Sequence, residues 1–221
     1  MQEQELVQLI AERVLQRLKE RDIEIHQVSR DRIPVGVSVR HLHITKEDFA
    51  ALFGENAELK VRNWLYQEGE FASDQTVTLV TARRSLPGVR ILGPFRSKTQ
   101  VEVSRTDAIM LGVNPPVRVS VNEANGGSRI TLVGPEGSIN VDDGLIVARR
   151  HIHCSPAEAT ALGIKEGDKL DLEILSDRPV VLRGVVVRTG EKLKLQFHVD
   201  TDEANAADVR CDMFARIAEV R

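Results

Sequence analysis

The sequence contains few aromatic residues and few cysteines. Phe, Trp and Tyr make up 4% of its 221 residues, which leaves little material for surfaces that stack on nucleic-acid bases. Two cysteines, Cys154 and Cys211, provide no disulfide framework and fit a reducing compartment. The net charge of −3 gives no general attraction to nucleic acid or to an anionic membrane. We therefore expect neither as a partner.

Long apolar segments are missing as well. No apolar run approaches the ~18 residues that span a bilayer, and the charged N-terminus has no apolar core of a secretory signal. The sequence contains neither a Gly-x-Gly-x-x-Gly motif nor a phosphate-loop lysine motif. It also lacks the Gly-x-Ser-x-Gly motif of serine nucleophiles. We expect a cytosolic protein whose chemistry does not depend on an activated serine.

Residues 2–20 predict an amphipathic helix, and the polar residues 21–32 predict a linker after it. The apolar positions of the helix recur at three- and four-residue spacing; they are Leu6, Val7, Ile10, Val14, Leu15 and Leu18. This apolar stripe needs a surface on which to be buried. It could pack on its own domain or on a neighbouring subunit, or it could dock on a separate protein shell.

Two related segments stand out in the rest of the chain. Arg40-His41-Leu42-His43 and Arg150-His151-Ile152-His153 each belong to a predicted strand, and Thr45 and Ser155 then supply the N-cap of a short helix. This pattern indicates an internal duplication. Because side chains two apart on a strand share a face and lie roughly 6–7 Å apart, each pair of histidines can present two imidazoles to one metal ion.

The strand pattern predicts a mainly β fold with short helices. Many short strands, glycine-rich turns and two related halves favour two pseudo-symmetric small β-barrels. A parallel α/β sheet would need helices of roughly a dozen residues between its strands, and the sequence does not predict them. We expect an amphipathic helix and linker at residues 1–32, a first barrel at 33–140 and a second at 141–221, with exchange of strands between the halves left open.

The predicted metal ligands combine the two histidine pairs with two further residues. His198 lies on the polar face of a predicted strand whose core side carries Leu195 and Phe197. Glu102 likewise faces away from the apolar row of its strand at residues 99–104. Imidazole and carboxylate groups suit zinc and neighbouring first-row divalent ions. The predicted ligands are His41, His43, Glu102, His151, His153 and His198.

Cys154 and Arg96 need separate interpretations. If the strand continues past His153, Cys154 points to the face opposite the histidines, and Ile44 stands at the equivalent place in the first copy. We therefore interpret Cys154 as a structural residue. Arg96, with Lys98 nearby, is either ordinary surface charge or a guanidinium group that binds an anionic substrate.

These motifs, in their order and spacing, resemble the phosphate propanoyltransferase (phosphotransacylase) family. They are Val-Gly-Val-Ser-Val-Arg-His-Leu-His at residues 35–43, Leu-Gly-Pro-Phe-Arg-Ser-Lys-Thr-Gln-Val-Glu-Val-Ser-Arg-Thr-Asp-Ala at residues 92–108, the second histidine pair and His198. The resemblance covers about residues 33–220. It implies two pseudo-symmetric β-barrels, a dinuclear zinc site, and interconversion of acyl-CoA and phosphate with acyl phosphate and CoA.

The same resemblance implies specific roles. His41 and His43 would hold one zinc ion, which also meets the CoA sulfur. A second zinc ion would be held by Glu102, His151, His153 and His198, and Arg96 would bind phosphate. Family members in bacterial microcompartments carry an N-terminal amphipathic extension that directs encapsulation, and residues 2–20 look like one. We therefore expect a homo-oligomer inside a microcompartment of the bacterial cytoplasm.

Two other functions remain compatible with the histidine pattern. A dinuclear zinc hydrolase would activate water at such a site, and a structural zinc protein would need the metal only to fold. Within the transferase function, acetyl and propanoyl groups differ by one methylene, which is worth about 1–3 kcal/mol in a pocket. The sequence does not identify the lining of that pocket, so both acyl groups remain candidates.

Overall fold

The computed structural model of the chain describes residues 28–120, 126–210 and 212–218, and of the N-terminal segment Arg13 alone. The amphipathic helix predicted for residues 2–20 therefore lies outside the described residues. In the described part of the chain, no helix has the length and apolarity needed to cross a membrane.

The described residues form short strands and four short helices. The strands are β1 Ile33–Ser38, β2 His41–His43, β3 Val61–Trp64, β4 Phe71–Val80, β5 Ser85–Gly93, β6 Gln100–Val103, β7 Val117–Arg118, β8 Ser128–Val133, β9 Ser138–Ala148, β10 His151–Cys154, β11 Lys169–Leu175, β12 Val180–Thr189, β13 Gln196–Asp200 and β14 Phe214–Ile217. The helices are α1 Lys46–Phe53, α2 Arg105–Leu111, α3 Pro156–Leu162 and α4 Thr201–Ala206.

Each of these helices begins at a side chain that caps it. The capping oxygen accepts a hydrogen bond from the amide three residues later, which satisfies a donor that the first turn leaves free. The caps are Thr45, Ser104, Ser155 and Asp200. Helices α2 and α3 end at Gly112 and Gly163, whose φ angles of 70° and 67° lie in the left-handed region that glycine tolerates. Local sequence therefore fixes where these helices start, and glycine ends three of them, since α1 ends at Gly54.

The strands close into two six-stranded barrels, which confirms the predicted fold class. The first barrel has the strand order β4-β5-β2-β6-β9-β8 and is closed by pairing of β8 with β4. Two further strands pair with it, β3 with β4 and β7 with β9. The second has the order β1-β13-β10-β12-β11-β14 and is closed by pairing of β14 with β1. Closure pairs the edge strands that would otherwise be open to other chains.

Two strands are exchanged between the halves of the sequence. Strand β1 precedes the first histidine pair but pairs with β13 and β14 of the second barrel. Strand β9 precedes the second pair but pairs with β6 and β8 of the first barrel. The expected boundary at residue 140 therefore falls inside β9, and β1 lies in the barrel opposite to the one expected. Alternation in a sequence shows which face of a strand is buried, but not which strand lies beside it.

Each barrel has its own apolar core. Phe49 and Leu42 are among the buried residues of the first core, and Phe197 and Ile152 among those of the second. Cys154 is fully buried in the second core, and Ile44, its counterpart in the repeat, is fully buried in the first. This agrees with the interpretation of Cys154 as a structural residue on the face opposite the histidines.

Candidate metal centre

The two histidine pairs occupy equivalent positions in the two barrels. Strand β2 runs parallel to β5 and antiparallel to β6, and β10 runs parallel to β12 and antiparallel to β13. In these registers His41 lies opposite Glu102, and His151 lies opposite His198. Glu102 and His198 are therefore structural equivalents, although the sequence offers no local repeat that relates them.

The structure brings all six predicted ligands into two groups of three. The first triad consists of His41, His43 and Glu102, and the second triad consists of His151, His153 and His198. Within each triad the candidate ligand atoms lie within 4.8 Å of one another. This spacing allows each triad to hold one metal ion.

The resemblance assigns Glu102 to the second zinc ion, and this assignment stays a prediction; in the structure the carboxylate is grouped with His41 and His43. Its carboxylate oxygen Oε2 lies 3.6 Å from Nε2 of His41, because the strand register places the two residues opposite each other. The charge of Glu102 also affects the second triad. Burial lowers the pKa of His151, and the negative charge of Glu102 partly opposes that shift. Glu102 thus belongs to the first triad and acts on a ring of the second.

The hydrogen bonds of the histidines leave nitrogen lone pairs available for metal ions. Nδ1 of His41 lies 2.8 Å from the carbonyl oxygen of Val39, and Nδ1 of His151 lies 2.8 Å from that of Arg149. A carbonyl only accepts, so Nδ1–H donates in both rings and Nε2 keeps its lone pair. In the described part of the chain, the buried atoms without a hydrogen-bond partner include Nδ1 of His43, Nδ1 of His153 and Nε2 of His198.

These unpartnered nitrogens are the observation that tests the fit of a metal ion. A buried polar atom normally has a partner, and three of them lie in the triads. The donor set as a whole is five imidazole nitrogens and one carboxylate, which zinc and related divalent ions prefer. The residues therefore fit two divalent metal ions.

The protonation states also suit metal binding. Burial, followed by the charges of neighbouring groups, lowers the pKa of His43 and of His198 well below the ordinary 6.5. Burial, with the charges of His151 and Arg188, lowers the pKa of His153 to about 3. Removing an imidazolium from water is costly, so these rings are neutral at pH 7. A neutral ring is the form that binds a metal ion.

Both triads line one cavity of about 710 Å³, to which both barrels contribute residues. This volume is typical of small-molecule sites. Its polar lining includes four arginines, Arg40, Arg90, Arg96 and Arg188. Its apolar lining includes Val37, Val39, Leu65, Leu92 and Leu193. The cavity therefore combines metal ligands, positive charge and apolar surface.

Arg96, which the sequence singled out, lies at this cavity. Its backbone amide donates to the carbonyl of Ile44 at 2.9 Å, which fixes the residue beside the strand of the first histidine pair. Its guanidinium donates to Oε1 of Glu70 at 2.7 Å. Arg188 was not predicted from the sequence. It lies opposite His153 in the register of β10 and β12, and the only sequence signal was a basic residue at the end of an apolar strand.

Equivalent ion pairs hold the start of each histidine strand. Arg40 binds Asp107 at 2.9 Å, and Arg150 binds Glu203. Asp107 and Glu203 each occupy the third position of the helix that follows the strand opposite the histidines, where they also complete a capping box. The same kind of ion pair thus positions both histidine pairs.

Comparison with known proteins identifies relatives over most of the chain. A family model described as phosphate propanoyltransferase matches residues 34–210. The phosphate propanoyltransferase of Lachnoclostridium phytofermentans is 46% identical over 186 residues, which cover 84% of this chain and 86% of the relative. That of Rhodobacter capsulatus is 38% identical over 213 residues, covering 96% and 99%. That of Thermotoga maritima is 46% identical over 187 residues, covering 83% and 89%.

Proposed function

Because the chain belongs to the phosphate propanoyltransferase family, we propose that it interconverts a short-chain acyl-CoA and phosphate with acyl phosphate and CoA at a dinuclear zinc site. Propanoyl-CoA and acetyl-CoA are the candidate substrates. The observation that supports this function most directly is that both triads open onto one cavity that also contains Arg96. An acyltransferase needs a place where thioester and phosphate meet, and this cavity can provide it.

The first triad would hold one ion and the second triad the other, with the Glu102 carboxylate near both. When bound, zinc would polarise the thioester carbonyl and accept the departing thiolate as a Lewis acid. The protein's own contribution is to orient the ligand rings. The carbonyls of Val39 and Arg149 fix the tautomer and direction of His41 and His151. Burial keeps the three rings of the second triad neutral.

Phosphate is a poor nucleophile towards a thioester, so the site has to hold it in line with the carbonyl. Arg96 is suited to this because its guanidinium can form two parallel hydrogen bonds to phosphate oxygens. Glu70 now accepts one of its N–H groups, and a phosphate dianion would compete for it. This arrangement supports direct attack of phosphate on the acyl-CoA, a route that requires no acylated side chain.

Initial-rate kinetics test the direct route. With acyl-CoA and phosphate both varied, double-reciprocal plots should give intersecting lines, because both substrates are bound before the acyl group moves. Parallel lines, or a trapped acyl-enzyme, would exclude direct attack. The same thiol-release assay with acetyl-, propanoyl- and butanoyl-CoA determines the acyl preference.

Omitting phosphate separates transfer from hydrolysis. Thiol release should then stop, whereas a dinuclear zinc hydrolase would continue to release CoA. The metal requirement is tested with a chelator, which should abolish activity, and with His153→Ala, which should contain less zinc by mass spectrometry. Full activity in a metal-free preparation would contradict the zinc site.

We also propose that residues 2–20 direct the chain to the shell of a bacterial microcompartment. The amphipathic pattern and the polar linker support this. Deletion of residues 1–20 should leave kcat/KM unchanged and release the enzyme from the shell. Loss of folding on deletion would show instead that the segment belongs to the core.

A homo-oligomer is the second proposed assembly. Ile109 and Met110, exposed on α2, provide apolar surface that another copy of the chain could bury. Sedimentation equilibrium should give a mass above the 24.6 kDa of one chain. A monomer at micromolar concentration would exclude this.

A further inference from the structure

Arg188 differs from the other three arginines of the cavity because its guanidinium has no partner among the described residues. Arg40 binds Asp107, Arg96 binds Glu70, and Arg90 donates to the carbonyl of Ser73. Over the described residues, the structure gives the Arg188 guanidinium neither an ion pair nor a hydrogen bond. A cation that is partly removed from water without a counter-ion is unfavourable. An anion from outside the chain would satisfy it.

The position of Arg188 places it beside the second triad. It lies opposite His153 in the parallel pairing of β10 and β12, and both residues line the cavity. Its neighbour Val187 is fully buried in the core, so the alternation of the strand turns Arg188 to the other face. The guanidinium is therefore close to the second triad.

The duplicated halves are not equivalent at this position. Leu92 lies opposite His43 in the first barrel, where Arg188 lies opposite His153 in the second. The first triad contains the Glu102 carboxylate, whereas the second consists of imidazoles alone. The second triad therefore has no carboxylate of its own and has a guanidinium beside it, which favours binding of a dianion there.

Arg96 lines the same cavity from the first barrel, where its amide donates to the carbonyl of Ile44. Two guanidinium groups, one from each barrel, thus line the cavity that contains the second triad. Glu70 pairs with Arg96, whereas Arg188 adds a charge that has no counter-ion among the described residues.

We infer that Arg188 is a second phosphate-binding residue, which holds the transferable phosphate against the second triad together with Arg96. This inference rests on the proposed acyl transfer to phosphate. The phosphates of CoA are separated from its sulfur by the long pantetheine arm, so an anion next to the metal ligands is the phosphate that reacts. Arg188 raises the affinity for phosphate and orients it, and it makes no contact that acyl-CoA alone requires.

The test compares Arg188→Gln with Arg183→Gln. Arg183 lies on the same strand but is largely exposed, pairs with Asp171 and does not line the cavity, so its replacement removes one positive charge away from the site. Loss of a charge-assisted hydrogen bond should raise the KM for phosphate of Arg188→Gln roughly 10- to 100-fold. The KM for acyl-CoA should change less than about twofold. Arg188→Lys, which keeps the charge but loses the planar fork, should fall in between.

Phosphate binding without turnover provides the second readout. Inorganic phosphate should raise the Tm of the metal-loaded protein in wild type and Arg183→Gln, and Arg188→Gln should need a correspondingly higher phosphate concentration for the same rise. A phosphate KM within about twofold of wild type in Arg188→Gln would overturn the inference, as would an equal rise in both KM values. Thiol release without phosphate would contradict the proposed acyl transfer to phosphate. It would not decide whether Arg188 binds phosphate, which the Tm comparison would still test.

Discussion

Acid should destabilise the metal-free protein, and His153 allows the size of the effect to be worked out. Burial, with the charges of His151 and two arginines, lowers the pKa of this ring from 6.5 to about 3. Between these values the unfolded chain binds a proton that the folded chain does not. The free energy of unfolding therefore falls as the pH drops below 6.5, and the loss is complete near pH 3. At pH 5 this one residue should remove about 2 kcal/mol.

The other buried rings act in the same direction. The pKa values of His43 and His198 are also lowered well below 6.5, mainly by burial. Each should add to the loss, so that about 2 kcal/mol is a lower bound for the whole centre. A domain is typically stable by only 5–15 kcal/mol, which makes the effect easy to detect.

Urea unfolding of the chelator-treated protein at pH 7.5 and pH 5.0, followed by circular dichroism, measures this loss. His153→Gln is the matched variant, because it removes the ring and keeps a polar side chain of similar reach. Carboxylates also titrate in this range, but their contribution cancels when the pH dependence of the variant is subtracted from that of wild type. The difference should be about 2 kcal/mol. An identical pH dependence in both proteins would refute the argument that His153 is neutral because it is buried.

Three further predictions concern the residues around the triads. Asp107→Asn should lower the free energy of unfolding by about 2–3 kcal/mol, because Asp107 is 2% exposed and its replacement leaves Arg40 without an ion pair. Glu203→Gln should lower it less in the same urea titration, since Glu203 is 19% exposed. A larger loss for Glu203→Gln would contradict the burial argument. Gln67→Ala should cost about 1–3 kcal/mol, because Gln67 links the first barrel to Lys194 of the second through two hydrogen bonds; an unchanged urea midpoint would show that this contact is weak in solution. Cys154→Ala should keep its full zinc content by mass spectrometry and lose roughly 1 kcal/mol of stability, whereas loss of zinc would identify Cys154 as a ligand.

Features that depend on residues close together in the sequence were predicted well. The alternation of His41 with Leu42 and His43 indicates two side chains on one face, and the structure places them so. The hydroxyls of Thr45 and Ser155 predict the starts of two helices, and both cap as expected. The two barrels followed from many short strands and a repeated motif. In each case the information lies within a few residues of the feature that it determines.

Features that depend on pairing between distant strands were left open or were not predicted. The exchange of β1 and β9, the grouping of Glu102 with His41, and the location of Arg188 beside His153 all follow from registers between strands far apart in the sequence. A polar residue on a strand can be assigned to a face from alternation, but the residue beside it depends on the partner strand. For the same reason the ion pair between Arg96 and Glu70 has no signal in the sequence.

The exchange of strands explains why the two triads share one cavity. The chain passes from the second barrel to the first between β1 and β2, and from the first to the second between β9 and β10. Each crossing is two residues long, and its first residue, Val39 or Arg149, supplies the carbonyl that orients the histidine after it. The histidine pairs are thus fixed where the barrels meet. A half of the chain alone would lack a strand of its own barrel, so the fold and the candidate metal centre are built by the same two crossings.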